Sequence, residues 1–233
     1  MKSINTLQNI WNGFDFSYLL EILLSVIPAL LCITLHELSH GLTALALGDD
    51  TARKAGRLTL NPIKHLDPMG LLMMVIFHFG FAKPVPVNMM KFKNPKAGMA
   101  LTALAGPVSN FIIAVLFLFL TGFFYPALFD SAVGNYAVQM LMITAQLSLM
   151  LGLFNLIPIP PLDGSKVLFS ALSDESYYKL MRYERYGTIL MIVLVMLGAL
   201  NGLLTTAENT VMNWIWPVLE YGLKLGGKVF LGL

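Results

Sequence analysis

The chain has little charge. Asp, Glu, Lys and Arg make up 12% of its 233 residues, against 57% hydrophobic residues; a globular protein usually carries roughly 25% charge. So few charges cannot cover a water-facing surface, which excludes an ordinary soluble enzyme. Cysteine is nearly absent as well. The lone Cys32 rules out an internal disulfide framework and any cysteine-based zinc cluster. There is no basic run with interleaved aromatics and the net charge is only +2, so nucleic acid is not an expected partner.

The gaps between charges show the organisation. Residues 97–129, 131–162 and 187–207 contain no Asp, Glu, Lys, Arg or His. Each is long enough to cross a bilayer, which takes about 20 apolar residues. Residues 16–35 are apolar except for Glu21, and the helical pattern runs on to Leu47. The expectation is an all-α polytopic membrane protein with four transmembrane helices, residues 1–233 forming a single membrane domain.

The first apolar run is too long for a cleaved signal peptide, whose hydrophobic region covers about 7–15 residues. Residues 211–233 carry Trp214, Trp216, Pro217, Glu220, Lys224 and Lys228. They read either as an interfacial helix or as a candidate fifth membrane segment. Residues 68–82 are apolar but too short to cross as a straight helix. Twelve of the 15 basic residues lie between the first and second spans or between the third and fourth. Basic loops stay inside, so these connections are expected to be cytoplasmic, the N-terminus outside, and the cell membrane the location.

Against this background the first span is chemically loaded. It contains His36-Glu37-Leu38-Ser39-His40, an H-E-x-x-H pattern. Residues i and i+4 share a helical face, so both imidazoles can reach one metal ion. Glu37 is rotated by about 100°, near enough to serve a water without ligating. Metal-assisted hydrolysis needs that division of labour: zinc acidifies a water and a carboxylate takes its proton. The pattern lies roughly 12–20 Å inside the helix end at Gly48, taking 1.5 Å per residue, where ionisable groups are costly and point to function. Cys32, one turn before His36, could ligate but is expected to be a small buried hydrophobe.

A catalytic zinc site takes three protein ligands and one open position. The third uncharged stretch ends Asn155-Leu156-Ile157-Pro158-Ile159-Pro160-Pro161-Leu162-Asp163-Gly164. Its prolines forbid a regular helix, so the chain must run extended where it is packed in protein or lines a wet cavity. Asp163 emerges from it, with Gly164 permitting an abrupt turn. The plain alternative is a proline-rich helix exit with Asp163 capping a helix over 165–172.

H-E-x-x-H at His36 to His40, followed by Asn155-x-x-Pro158-x-Pro160-x-Leu162-Asp163-Gly164, resembles the site-2 protease family of intramembrane zinc metalloproteases. Phe79-Gly80-Phe81-Ala82-Lys83-Pro84-Val85-Pro86-Val87-Asn88 and Ala105-Gly106-Pro107-Val108-Ser109-Asn110 are also similar to family segments. The resemblance implies one Zn2+ per chain bound by His36, His40 and Asp163, with Glu37 as base. It places Asn155 where it could hold the substrate or the oxyanion. It also implies a membrane-dipping β or re-entrant element over 70–90, able to hold an extended substrate by strand addition. Family members often append a PDZ or CBS domain; this chain looks like a compact member with neither.

The remaining polar residues carry modest expectations. His65 reads as an interfacial loop residue and His78 as the partner in a structural hydrogen bond. Asn110 reads as an interhelical hydrogen-bonding residue. The expected function is zinc-dependent cleavage of a transmembrane segment of another protein, within the lipid bilayer and near the cytoplasmic side. A proteolytically silent scaffold would have no need of Glu37. A metal transporter would need ionisable residues across the full depth, where the outer half offers only Glu21. A third zinc ligand from a later Glu is disfavoured, because the later spans contain none.

Overall fold

A computed structural model of the chain describes residues 16–68, 70, 82–182 and 184–233. The first helix, α1, covers Phe16–Ala46 and contains Pro28. It stops at Gly48, whose φ of 104° is open to glycine and poorly tolerated by other residues. The Asp49 N–H then donates to the Ala44 carbonyl at 2.8 Å. A short helix α2, Thr51–Lys54, follows, and then a 3-10 turn over Pro62–His65. Helix α3 spans Pro95–Leu128, with Pro at its first position and the Asn94 side chain accepting from the Ala97 N–H. Ser131 caps α4, Ala132–Asn155, in the same way through the Gly134 N–H. Among the described residues four α-helices follow, α5 Asp163–Ser170, α6 Asp174–Arg182, α7 Glu184–Met196 and α8 Asn201–Gly226, with a π-helical turn over Gly227–Leu231 after the last.

Helix α3 is the hub, in contact with α1, α4, α5 and α8. The faces it shares with its neighbours are small or polar: Thr102, Ala103, Gly106, Asn110, Ala114 and Thr121 are buried. Thr144, Ala145, Ser148 and Gly152 answer them from α4. Large side chains point outward instead, among them Ile112 and Leu116 on α3, Leu190 on α7 and Leu203 on α8. That is the inside-out arrangement of a protein whose solvent is lipid: small residues let helices approach, and apolar bulk faces hydrocarbon. The chain is a multi-pass membrane protein. Among the described residues, Leu24–Ala46, Pro95–Leu128 and Ala132–Asn155 are each long and apolar enough to cross.

The fourth expected span is broken in the structure. Residues 187–207 do not form one straight helix: α7 ends at Met196, α8 starts at Asn201, and Gly198 between them has φ 66°. The two axes are bent by 82°, so they count as a fourth crossing only when taken together. Charge counting cannot see this break, because a glycine in the left-handed conformation ends a helix without any polar residue. Residues 211–226 are not a separate element either. They continue α8, which packs on α3 along a glycine seam. A Cβ at Gly122 would overlap the Leu219 carbonyl oxygen, and one at Gly226 would overlap that of Phe123.

Residues 71–81 of the expected β element, His78 included, lie outside the described residues. The part that is described forms neither helix nor strand over 83–88, where Pro84 and Pro86 favour an extended course and Asn88 adopts one. Among the described residues the β pairing is a single antiparallel bridge, Leu66 to Ala82, continued by the Lys83 N–H donating to the His65 carbonyl at 2.9 Å.

The α3–α8 seam makes an unfolding prediction. Gly226→Ala is expected to destabilise the detergent-solubilised protein by about 1–3 kcal/mol, the usual range for overpacking. Gly202→Ala, where a Cβ meets nothing within 4 Å, is expected to be neutral or stabilising by up to about 1 kcal/mol. Thermal unfolding of the two variants checks the contrast.

Candidate metal centre

His36 and His40 lie one turn apart on the face of α1 that meets α3, and both are buried. Their rings sit edge to face with centroids 4.6 Å apart and their Nε2 atoms 3.0 Å apart. Rings this close to α3 require a glycine opposite. A Cβ at Gly106 would stand 2.5 Å from Cε1 of both His36 and His40. The His40 Nδ1–H donates to the Thr102 carbonyl at 2.7 Å, which leaves the Nε2 lone pair facing inward. The Asn110 amide lies 3.0 Å from Nδ1 of His36.

Asp163 arrives from the proline-rich exit of α4. Residues 156–162 turn back on themselves, the Ile159 N–H donating to the Ile157 carbonyl at 2.8 Å and the Leu162 N–H to that of Ile159 at 3.0 Å. Ile157 and Leu162 anchor this segment in an apolar cluster with Met191 of α7 and Leu200. Gly164 is required for proximity: a Cβ there would overlap the Leu156 carbonyl. Asp163 opens α5, which starts two residues earlier than the helix expected over 165–172. Its carboxylate goes to the histidines, with Oδ2 at 3.2 Å from Nε2 of His36 and 3.1 Å from Nε2 of His40. Lys166 Nζ lies 3.7 Å from the other oxygen.

These three residues are placed to hold a metal ion. Zinc–ligand bonds of about 2.0–2.1 Å in a tetrahedron put ligand atoms about 3.3 Å apart, and the three atoms here are 3.0 to 3.2 Å apart. Their chemistry points the same way. A carboxylate oxygen and an imidazole lone pair facing each other in a buried site repel unless a proton or a metal cation lies between them. Imidazole with carboxylate is also a donor set that zinc accepts.

Glu37 stands outside this group but lines the same cavity, of about 650 Å3. Its Oε2 accepts the Val85 N–H at 2.8 Å, so the extended 83–88 segment runs directly beside it. Asn155 also lines the cavity, with its amide donating to the Leu151 carbonyl at 2.9 Å. Cys32 is buried, and its thiol reaches toward the Thr144 carbonyl at 3.6 Å; it is not part of the metal-ligating group. His65 differs from expectation. It is buried, with its Nε2–H donating to the Thr59 carbonyl at 2.9 Å, and it helps to hold the chain entering the extended segment.

A second clasp holds that segment from its far end. Asp49, buried just beyond α1, accepts the Asn88 N–H at 2.6 Å and the Thr51 N–H at 3.0 Å, and also the Thr51 hydroxyl. Lys91 lies 3.4 Å from Asp49 and 2.6 Å from Asp50, and Lys54 lies 2.7 Å from Asp50. Burial pushes the Asp49 carboxyl up, but its hydrogen bonds from Thr51 and Asn88 and the Lys91 ammonium outweigh that and hold it below its ordinary value. The role of Asp49, the carbonyl of Thr102 and the steric demand at Gly106 were not foreseen from the sequence. Only the Gly48-Asp49-Asp50 punctuation and the Gly106-Pro107 pair marked these places.

The sequence profile described as Peptidase family M50 matches residues 124–200. Among curated proteins, the chain is 40% identical over 211 residues to "Putative zinc metalloprotease YwhC" of Bacillus subtilis, covering 88% of this chain and 91% of that one. It is 33% identical over 192 residues to "Putative zinc metalloprotease Rip2" of Mycolicibacterium smegmatis, covering 79% and 71%. It is 31% identical over 195 residues to "Zinc metalloprotease MJ0392" of Methanocaldococcus jannaschii, covering 83% of this chain and 46% of that one. No solved structure matches the chain.

Two outcomes follow from the geometry. Gly106→Ala must push both imidazoles aside, and competition against a zinc chelator is expected to show at least about a tenfold loss of affinity. The Asp49 clasp sets a pH dependence. With its folded value depressed, it contributes in full above the unfolded value of about 3.9 and is lost as pH falls through the folded one. Hydrogen-exchange protection of the Asn88 amide is expected to hold from neutral pH to about pH 4 and then fall. In Asp49→Asn it is expected to be low already at neutral pH.

Proposed function

This chain belongs to peptidase family M50, the site-2 protease family of metalloproteases, and we propose that it is a zinc-dependent endopeptidase that hydrolyses a peptide bond in or near a transmembrane segment of another membrane protein. The observation that carries this reading is the convergence of two imidazole nitrogens and one carboxylate oxygen beside Glu37, inside an almost uncharged helical body. His36, His40 and Asp163 would hold one Zn2+, which would supply Lewis-acid chemistry there, acidifying a water and polarising a carbonyl.

The rest of the reaction belongs to the chain's own side chains. Glu37 is the general base: it takes a proton from the attacking water as the water oxygen bonds to the scissile carbonyl carbon. It returns that proton to the departing amine nitrogen as the C–N bond breaks. The Val85 N–H holds the Glu37 carboxylate through Oε2, which fixes its direction. Asn155 lies along the cavity with a second amide N–H beyond the one given to Leu151, and it helps to hold the substrate or the oxyanion.

A helical substrate hides its peptide bonds in its own hydrogen bonds and must unwind before attack. The cavity is suited to an unwound segment: Pro84, Val85 and Val87 of the extended stretch line it together with Thr188, Met191 and Ile192 of α7. The basic connections favour a site toward the cytoplasmic side of the cell membrane. Residues of α1, α3, α4, α5 and α7 line one cavity, which favours treating the whole as a single membrane domain.

Glu37→Gln is expected to bind zinc as wild type does and to cleave a reconstituted transmembrane substrate at least about 100-fold more slowly. Asp163→Ala is expected to lose stoichiometric zinc. Metal analysis with gel-based cleavage in proteoliposomes reads both. Cleavage by Glu37→Gln at the wild-type rate would remove the base from the mechanism.

A further inference from the structure

Asn110 is the most deeply buried polar side chain near the site that the reaction above does not use, with 0% exposure. Its place is set from several sides. Its backbone carbonyl accepts the Ser148 hydroxyl at 2.8 Å, and its Cβ packs on Gly152 of α4. The Nδ2 end of its amide faces Nδ1 of His36 at 3.0 Å, and Oδ1 is buried without a hydrogen-bond partner. The two ends of an amide are nearly the same size, so hydrogen-bond chemistry decides which one meets the imidazole.

A neutral imidazole carries one proton. With Nδ2–H facing Nδ1, that proton must sit on Nε2 of His36, aimed at Nε2 of His40 and Oδ2 of Asp163. A nitrogen holding a proton cannot bind a metal. With the amide turned over, Oδ1 accepts the Nδ1–H of His36, the orphaned oxygen gains its donor, and Nε2 presents a lone pair to the other two ligand atoms.

We propose that Asn110 is a positioning residue for the metal centre, its side-chain oxygen accepting the Nδ1 proton of His36 and so fixing the tautomer and ring direction that let Nε2 bind the ion. This rests on the zinc reading of the same site. The Thr102 carbonyl performs the same service for His40. Thr102, Gly106 and Asn110 recur every four residues, which puts them along one face of α3. That face therefore supplies an acceptor for each imidazole and, between them, the gap into which both rings fit. Outer hydrogen-bond partners of this kind usually contribute about 10- to 100-fold to metal affinity.

The test compares wild type, Asn110→Ala and Asn110→Asp as purified metal-free proteins. Zinc affinity is read by chelator competition, and folding by thermal unfolding before zinc is added. Asn110→Ala is expected to bind zinc about 10- to 100-fold more weakly. Asn110→Asp keeps an acceptor and cannot donate, so it is expected to stay within about tenfold of wild type. A loss in Asn110→Asp as large as in Asn110→Ala would overturn the proposal, and so would an Asn110→Ala protein that binds like wild type.

Should either variant fail to fold, 15N spectra of histidine-labelled, zinc-loaded wild type decide the matter. A slowly exchanging proton on Nδ1 of His36 supports the proposal, and a proton on Nε2 overturns it. Wild-type protein that binds no zinc would overturn the proposed function as well, whereas unequal outcomes among the variants bear on Asn110 alone.

Discussion

An imidazole that binds a metal must turn one nitrogen's lone pair inward and find an acceptor for the N–H on its other side. In water that acceptor is free. Between membrane helices it has to be built, because a buried unpaired N–H costs about as much as a lost hydrogen bond. Much of the architecture answers this constraint. Helix α3 runs across the face of α1 that carries His36 and His40, close enough for its Thr102 carbonyl to reach one ring and the Asn110 amide the other. That closeness is available only because Gly106 has no side chain. Helix α3 is held in turn by a polar and small-residue face against α4 and a glycine seam against α8, so elements far from the metal fix its geometry.

The third ligand is delivered by different physics. A continuous α4 would carry Asp163 past the histidines. The prolines stop the helix, the next residues fold back through tight turns, and the apolar side chains of that segment anchor it under α7. Along the same cavity, two clasps hold an extended segment against the site: His65 with Lys83 at one end, and Asp49 with Asn88 at the other. Between them the Val85 N–H reaches Glu37. The base, the metal ligands and the cavity wall are thus tied to different elements through short, named contacts.

The sequence revealed the parts of this that depend on local rules. His36, Glu37 and His40 were legible because a 3.6-residue period puts i and i+4 on one face in any fold. The spans α1, α3 and α4 were legible because lipid excludes charge. Asp163 was legible only through resemblance, since no spacing rule links it to a helix so far away in the chain. The break at Gly198 escaped, because a left-handed glycine leaves no mark in an apolar run. The course of 211–226 escaped for a related reason: Trp214 and the lysines suggested an interface, but the packing is decided by Gly222 and Gly226 meeting backbone on α3. Asn110 was recognised as an interhelical residue, yet its partner could not be read, because that depends on how α3 lies across α1. The sequence around His65 suggests an interfacial loop, yet the side chain is buried, since loop composition does not report tertiary contacts.

The central claim is that His36, His40 and Asp163 together hold one zinc ion. X-ray absorption at the zinc edge, on purified wild-type protein loaded and then dialysed against weak chelator, tests it most directly. The account predicts one zinc per chain, with a first shell of two imidazole nitrogens and oxygen and no sulfur. A sulfur scatterer from Cys32, a shell with a single imidazole, or no retained zinc would contradict it.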